Sequence, residues 1–433
     1  MAKPLPTTGR KRVALTLADQ LVSSASNFAL TALVARLGGV SALGSFGIAL
    51  LVWFAVVGVN RALVSEPMTV IGGPEVKPHE HREGVAASAV VGLGVGVLLA
   101  AVCWVLIVLG GIDALGVLAL APWLPSLLVQ DYCRAAAFRT RQPHIALASD
   151  VVFAVVQAAA TLMLAQVGDR GVASFLAGWG IGATAGAIVG MAMLWTRPGS
   201  LWRGWLRLRR MWPRSRWFLA EFGTAFPGDQ GYLFVLPVLL GTTLFGLYRA
   251  GSGLIGPIVV IFLAAGNIGL PEAVRSLREG GQPGLRRFAV LLTAAVSGVT
   301  VLYCGVVALM AEPLLRLVYG APFAPAATVT AFIAGQYALN SLSFGAGVAM
   351  KAAGHMKALW VVRICSATIT IAGTAVLASV AGLTGAGVAA LIGGLAYSGG
   401  VLIAYALTAA ADRPRPRRGA HRPPKSPVLR AGR

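Results

Sequence analysis

Residues 85–109 have the sequence VAASAVVGLGVGVLLAAVCWVLIVL and contain no charged side chain. A run of this length can cross a bilayer as a helix, which needs about 20 apolar residues. In lipid, backbone amides must bond within a helix or a closed barrel, and a barrel strand is only about ten alternating residues long. The unbroken run therefore predicts membrane-spanning α-helices.

The composition of the whole chain agrees with this prediction. Of its 433 residues, 57% are hydrophobic and 12% are charged. A soluble domain carries about 25% charged residues, so this chain lacks the polar surface that a soluble globule needs. Its 54 glycines suit a bundle in which small residues let helices approach closely.

Apolar runs separated by glycine, proline or charged residues predict twelve helices, which we number helix 1 to helix 12. Their predicted spans are 13–36, 41–63, 85–109, 113–137, 144–166, 172–195, 218–240, 243–266, 288–311, 325–350, 358–380 and 384–408. The predicted fold class is an all-α integral membrane protein with about 12 transmembrane helices in two six-helix lobes.

The distribution of Lys and Arg predicts the orientation. With these spans, 32 of the 36 basic residues fall on the side that holds both chain ends, and Arg36, Arg170 and Arg316 fall on the other. Because basic residues collect on the cytoplasmic side, we expect both termini in the cytoplasm of a multi-pass protein of the cytoplasmic (inner) membrane. The same asymmetry explains the net charge of +21 without a nucleic-acid partner.

Four regions follow from these spans. They are an N-terminal lobe (1–199), a basic linker (200–217), a C-terminal lobe (218–410) and a tail (411–433) that we expect to be disordered. The linker interleaves tryptophan and arginine, which suits a segment in the headgroup layer that contacts anionic membrane lipids at the cytoplasmic face. A plain topology anchor is the alternative interpretation.

The two halves resemble each other at offsets of about 200–212 residues. The segment LGSFG at 43–47 corresponds to TLFGLY at 243–248, and FRTRQPH at 138–144 corresponds to MKAAGHMK at 350–357. Two similar six-helix halves are a transporter layout whose site lies between them.

At these segments the sequence resembles the multidrug/oligosaccharidyl-lipid/polysaccharide (MOP) flippase superfamily, and within it the polysaccharide and O-antigen exporter branch. The supporting segments are NFALTALVARLG at 27–38, FGLYRA at 245–250 and QDYCR at 130–134. The resemblance implies two lobes that face a central cavity opening alternately to each side. It also implies a lipid-linked glycan as substrate. Where the family usually has Gly-Pro after Arg36, this chain has Gly38-Gly39.

The expected function is therefore a flippase that translocates a lipid-linked oligosaccharide or polysaccharide precursor, with other membrane proteins of glycan assembly as candidate partners. Alternatives are a drug or small-molecule exporter of the same superfamily, a membrane glycosyltransferase or ligase, and a non-transporting scaffold. The sequence contains no nucleotide-binding loop, nucleophile constellation or metal-ligand pattern. We therefore predict no enzymatic activity, no cofactor and no metal.

Polar side chains at membrane depth are energetically unfavourable and mark functional positions. Arg249 is the first candidate for substrate contact, because the guanidinium fork matches phosphate oxygens. Asp229 in helix 7 is its expected partner, and a snorkelling or structural Arg249 is the alternative. The further substrate-binding candidates are Gln230, Asn27, Asp19, Arg36, Asn340 and Arg363.

A second group of charged residues is predicted to be structural. Asp131 and Arg134 are three residues apart on helix 4, a spacing at which helical side chains pair. Asp150 on helix 5 lies across the hairpin and is expected to join them.

Overall fold

The computed structural model describes residues 7–71, 78–108, 115–167 and 170–411, and these ranges contain helices and turns but no strand. Within them, side chains are described except at 7–13, 17, 70, 71, 78, 115, 229, 410 and 411. The long helices span Thr7–Asn60, Pro78–Val108, Leu124–Arg139, Pro143–Val167, Val172–Met193, Leu201–Leu309, Ala327–Leu342 and Met356–Ala411. Shorter helical elements are Arg61–Ser65 (a π-helix), Glu66–Ile71, Leu115–Leu118, Ala121–Trp123, Ala311–Val318, Ala321–Ala326 and Phe344–Ala352.

Glycines divide three of the long helices into arms. Gly39, Gly241, Gly281 and Gly382 interrupt them with positive φ. This backbone region is open to glycine at little steric cost. The arms keep the predicted helix numbers. They span 7–38 (helix 1), 40–60 (helix 2), 201–240 (helix 7), 242–280 (helix 8), 282–309 (helix 9), 356–381 (helix 11) and 383–411 (helix 12).

Membrane-length apolar segments occur in six helices of the described chain, three of which contain the glycine interruptions. The predicted all-helical membrane protein is thereby confirmed, while the number of crossings and the side of each terminus stay predictions. The crossing helices are apolar around most of their circumference, as expected for helices that face lipid as well as protein.

Helix ends differ from the predicted spans in a systematic way. The linker forms the first part of helix 7 instead of a loop, and helix 8 continues to residue 280. At 1.5 Å per residue helix 8 is about 58 Å long, which exceeds the roughly 30 Å hydrocarbon core. The predicted spans are shorter because hydropathy identifies only the part of a helix that lies in lipid. The polar residues beyond that part continue the same helix into water.

The two lobes meet where helix 2 crosses helix 8, close to Gly39 and Gly241. A Cβ on Gly44 would lie 1.8 Å from the carbonyl oxygen of Thr242, and one on Gly246 would lie 2.1 Å from that of Val40. Small residues let backbones approach this closely. We call Gly44 and Gly246 the glycine crossing, and its two members belong to the two similar segments of the repeat.

A methyl group at the glycine crossing should push the lobes apart. We expect Gly246→Ala to lower the free energy of unfolding by about 1–3 kcal/mol, the usual range for overpacking a dense contact. The matched control is Gly298→Ala on helix 9, where no atom lies within 4 Å of the new methyl group. Size-exclusion chromatography after heating in detergent measures the thermal midpoint of each variant. Equal midpoints for the two variants would contradict a tight contact at the glycine crossing.

Candidate functional site

A buried charge cluster joins helices 1, 4 and 5 of the N-terminal lobe. Arg134 Nη2 lies 2.7 Å from Asp19 Oδ2, and its Nε lies 3.3 Å from Asp150 Oδ2. Gln130 Nε2 donates to Asp150 Oδ1 at 2.8 Å. Asp19 is fully buried, and Asp150 is 3% exposed. One guanidinium thus neutralises carboxylates from two neighbouring helices.

The expected pair between Asp131 and Arg134 does not form, and this part of the prediction was wrong. Asp131 instead accepts from Arg61 of the π-helix that follows helix 2, with Nη2 and Oδ1 2.5 Å apart. A pair three residues apart on one helix contributes only about 0.2–0.5 kcal/mol. Buried carboxylates from helices 1 and 5 compensate the partly exposed Arg134 more fully, so tertiary partners replace the local one.

Asp19 was predicted as a substrate-binding candidate, and its position favours a structural role. A fully buried carboxylate that is already paired with Arg134 has no surface left for a ligand in this conformation. The surrounding hydrogen bonds extend the cluster: Ser149 Oγ donates to the Gly186 carbonyl at 2.9 Å, and Gln157 Nε2 donates to Ser26 Oγ at 3.0 Å. These bonds tie helices 1, 4, 5 and 6 into one unit.

Arg36 forms a polar contact between the lobes on the Gly39 side. Its guanidinium donates to the carbonyls of Leu317 and Val318, the latter at 2.7 Å. These carbonyls end the helix Ala311–Val318, where C=O groups lack helical partners and the dipole is negative. Phe28 packs beside them on Tyr319, with ring centroids 6.3 Å apart. We call this contact, together with the glycine crossing, the seam.

Arg249 lies just inside the seam, on helix 8 about 12 Å along the helix from Gly241. Its stem rests on helix 2 of the other lobe, because a Cβ on Gly47 would lie 2.7 Å from Arg249 Cγ. The side chain is partly exposed. Four tyrosines are within electrostatic range of its guanidinium: Tyr319, Tyr232, Tyr248 and Tyr337.

No carboxylate among the described side chains forms an ion pair with Arg249. The side chain of Asp229 lies outside the described ones, so the expected Arg249–Asp229 pair stays a prediction. The Tyr319 hydroxyl is buried and has no hydrogen-bond partner in the part of the chain that the structure describes. Arg249 and Tyr319 thus present one positive charge and one hydrogen-bond donor.

The remaining candidates are spread over both lobes. Asn27 on helix 1 and Arg363 on helix 11 are exposed, and Gln230 on helix 7 is partly exposed. Asn340 on helix 10 keeps a buried Oδ1 without a described partner. The four tyrosines were not predicted, because an aromatic residue in an apolar run looks like a packing residue. Only Tyr248, next to Arg249 in FGLYRA, carried a local signal.

No protein-family model and no curated protein matches this sequence. Solved structures do match it over most of its length. The chain has the fold of MOP superfamily transporters. A multidrug resistance MATE family transporter in an inward-facing conformation superposes with a TM-score of 0.73 at 11% identity, covering 92% of this chain and 98% of that one.

Two further structures refine the comparison. The lipid II flippase MurJ in an inward closed conformation gives a TM-score of 0.70 at 12% identity, over 90% of this chain and 87% of its own. An outward-facing MATE family transporter gives 0.54 at 13% identity, over 94% and 97%. At these identities the likeness shows the fold alone, and the branch predicted from the sequence stays a prediction.

The charge cluster generates a prediction about stability. Arg134→Ala leaves the buried carboxylates of Asp19 and Asp150 without their cation, and breaking a buried pair in this way costs about 3–5 kcal/mol. The control is Arg316→Ala, whose partner Glu312 is on the surface and whose pair should contribute at most about 1 kcal/mol. Thermal midpoints in detergent measure both losses, and a midpoint for Arg134→Ala equal to that of the control would exclude a structural cluster.

Proposed function

We propose that the protein is a MOP-type transporter that flips a lipid-linked oligosaccharide or polysaccharide precursor across the cytoplasmic membrane by alternating access. The observation that carries this proposal is Arg249, a cation between the lobes that is paired with no described carboxylate. Among the tyrosines near it, Tyr319 has a buried hydroxyl without a hydrogen-bond partner among the described residues, and that hydroxyl can donate to a ligand.

The energetics of a charge at membrane depth favour an anionic ligand. An arginine in the middle of a membrane helix is unfavourable by at least about 2.5–3.5 kcal/mol unless it faces protein or water. A diphosphate, the group that joins lipid to glycan in the expected substrate class, offers oxygens that a guanidinium binds in bidentate fashion. Arg249 would therefore gain its compensating charge from the substrate.

The seam supports alternating access. Arg36, Phe28 and the glycine crossing close the Gly39 side of the molecule, which the distribution of basic residues assigns to the exterior. The better superposition on an inward-facing transporter than on an outward-facing one agrees with closure on that side. Entry of the substrate from the inner leaflet would then precede opening of the seam.

Fold alone favours a drug exporter as much as a flippase, because the TM-scores of 0.73 and 0.70 are nearly equal. The discriminating feature is the sign of the charge between the lobes. A cationic drug would be repelled by Arg249, whereas an anionic lipid headgroup would be attracted. A glycosyltransferase or ligase is the third candidate, and the three solved structures named above are transporters or flippases by name.

The central test is substitution of Arg249. Arg249→Ala should abolish export of the lipid-linked glycan at a normal protein level, and Arg249→Lys should restore only part of it because the fork is lost. Asp229→Asn should weaken export less than Arg249→Ala does. Arg316→Ala, on an exposed surface pair, is the control and should export normally.

Lipid extracts from a deletion strain provide the measurement, since the untransported precursor should accumulate and be cleared by the complementing gene. Wild-type export by Arg249→Ala would remove the proposed role of this residue. Clearance of a cationic dye that is unaffected by Arg249→Ala, with no accumulating lipid, would support the drug exporter instead.

The proposed orientation has its own test. In a background without native cysteines, a cysteine at Gly241 or Gly382 should react with a membrane-impermeant maleimide in intact cells. A cysteine within residues 200–216 should react only after permeabilisation. Labelling of residues 200–216 from outside would reverse the orientation.

A further inference from the structure

Residues 201–217 carry six arginines and four tryptophans and contain no Asp or Glu. One of the arginines has a carboxylate partner, since Arg207 Nη1 lies 2.6 Å from Glu83 Oε2 on helix 3. The other five are exposed and pair with no carboxylate among the described side chains: Arg203, Arg209, Arg210, Arg214 and Arg216. We call residues 201–217 the surface helix.

One face of the surface helix is docked on the N-terminal lobe. A Cβ on Gly204 would lie 2.5 Å from the backbone of Ala86 near the start of helix 3. Eleven residues later, Ser215 Oγ donates to the carbonyl of Leu63, at 3.0 Å. Gly204 and Ser215 are buried, and both lie on the same face as Met211. The surface helix is the first part of helix 7. It runs along the ends of helices 3 and 2, and the rest of helix 7 continues beyond these contacts.

The two flanks beside the docked face carry different side chains. At 3.6 residues per turn, Trp202, Trp205 and Trp212 fall on one flank, and each exposes at least 51% of its surface. On the other flank lie three guanidinium groups: Arg203, Arg210 and Arg214. Exposed tryptophans interleaved with arginines on one helix are the pattern of a segment lying in the membrane interface.

Two further arginines lie on or next to the tryptophan flank. Arg209 and Arg216 have long apolar stems that allow their heads to reach the headgroup layer while the stems stay among the rings. The Arg216 guanidinium carbon lies 5.2 Å from the Trp217 ring centroid, a cation–π distance. Every cation of the surface helix except Arg207 thus lacks a carboxylate partner among the described side chains and can bind an anion at the interface.

We propose that the surface helix is a binding surface for anionic phospholipids of the cytoplasmic leaflet. The segment has no Asp or Glu of its own, and lipid phosphates would supply the negative charge that its arginines bind. The tryptophans would hold the helix at headgroup depth. The surface helix continues without interruption into helix 7, so bound lipid anchors the segment that joins the two lobes. This inference does not depend on which substrate the protein carries.

A topology anchor is the competing explanation of the same residues. Such an anchor acts while the chain inserts, and it requires no affinity for particular lipids in the folded protein. The two explanations differ in whether the purified, folded protein prefers anionic lipid.

The test uses the purified full chain in neutral detergent. Dansyl-labelled phosphatidylglycerol should quench tryptophan fluorescence at lower concentrations than dansyl-labelled phosphatidylcholine does. Each guanidinium near an anionic surface contributes about fivefold, equivalent to about 1 kcal/mol. The triple substitution Arg203→Gln, Arg210→Gln and Arg214→Gln should therefore weaken phosphatidylglycerol binding at least tenfold and leave phosphatidylcholine binding unchanged.

The matched control removes the same charge elsewhere. Arg278, Arg286 and Arg287 are exposed, and none of them has an ion-pair partner among the described residues. Their replacement by glutamine should leave phosphatidylglycerol binding within about threefold. Equal losses in both triple variants, or equal quenching by the two lipids in the wild type, would overturn the proposal. Unchanged thermal midpoints in neutral detergent verify that all variants are folded.

Discussion

The absence of water from the bilayer core is the constraint on which the rest of this structure depends. Without water, each backbone amide must find its partner in its own helix, and each charge must find a counter-charge or a polar space. The first requirement makes the described chain helical and restricts breaks in the long helices to glycines such as Gly39 and Gly241. The second requirement governs where the charged side chains lie.

Arginine meets that second requirement in three different ways. Arg134 is paired with Asp19 and Asp150 inside the N-terminal lobe, where the charges serve to hold helices together. Apart from Arg207, the arginines of the surface helix are exposed, and we propose that they lie at a membrane interface, where water and lipid phosphates are available. Arg249 belongs to neither class, because it lies between the lobes against Gly47 and has no described carboxylate partner. Besides the predicted pair with Asp229, a bound anionic ligand would supply compensation, which is why this residue carries the functional proposal.

The contacts inside a lobe and the contacts between lobes differ in kind. Inside the N-terminal lobe, breaking a buried ion pair or hydrogen bond would leave a buried polar or charged group without a partner, which is energetically unfavourable. The seam consists instead of van der Waals contact at glycines, one aromatic pair and an exposed Arg36 on helix-end carbonyls. The Arg36 contact exchanges readily with water, because an exposed polar group loses little when water replaces its partner. A rigid lobe with a separable seam is the mechanical basis that alternating access requires.

The sequence by itself determined the fold class, the approximate helix positions and the charge asymmetry, because hydropathy and Lys/Arg placement act locally along the chain. It also identified Arg249 as an unusual charge, since an arginine within an apolar run is visible without any structure. Only the tertiary structure decided the partners: Arg134 with Asp19 instead of Asp131, Arg36 on the carbonyls of Leu317 and Val318, and Arg249 on Gly47. Ion-pair and van der Waals contacts depend on distances of a few ångströms between segments far apart in sequence, and hydropathy contains no information on those distances.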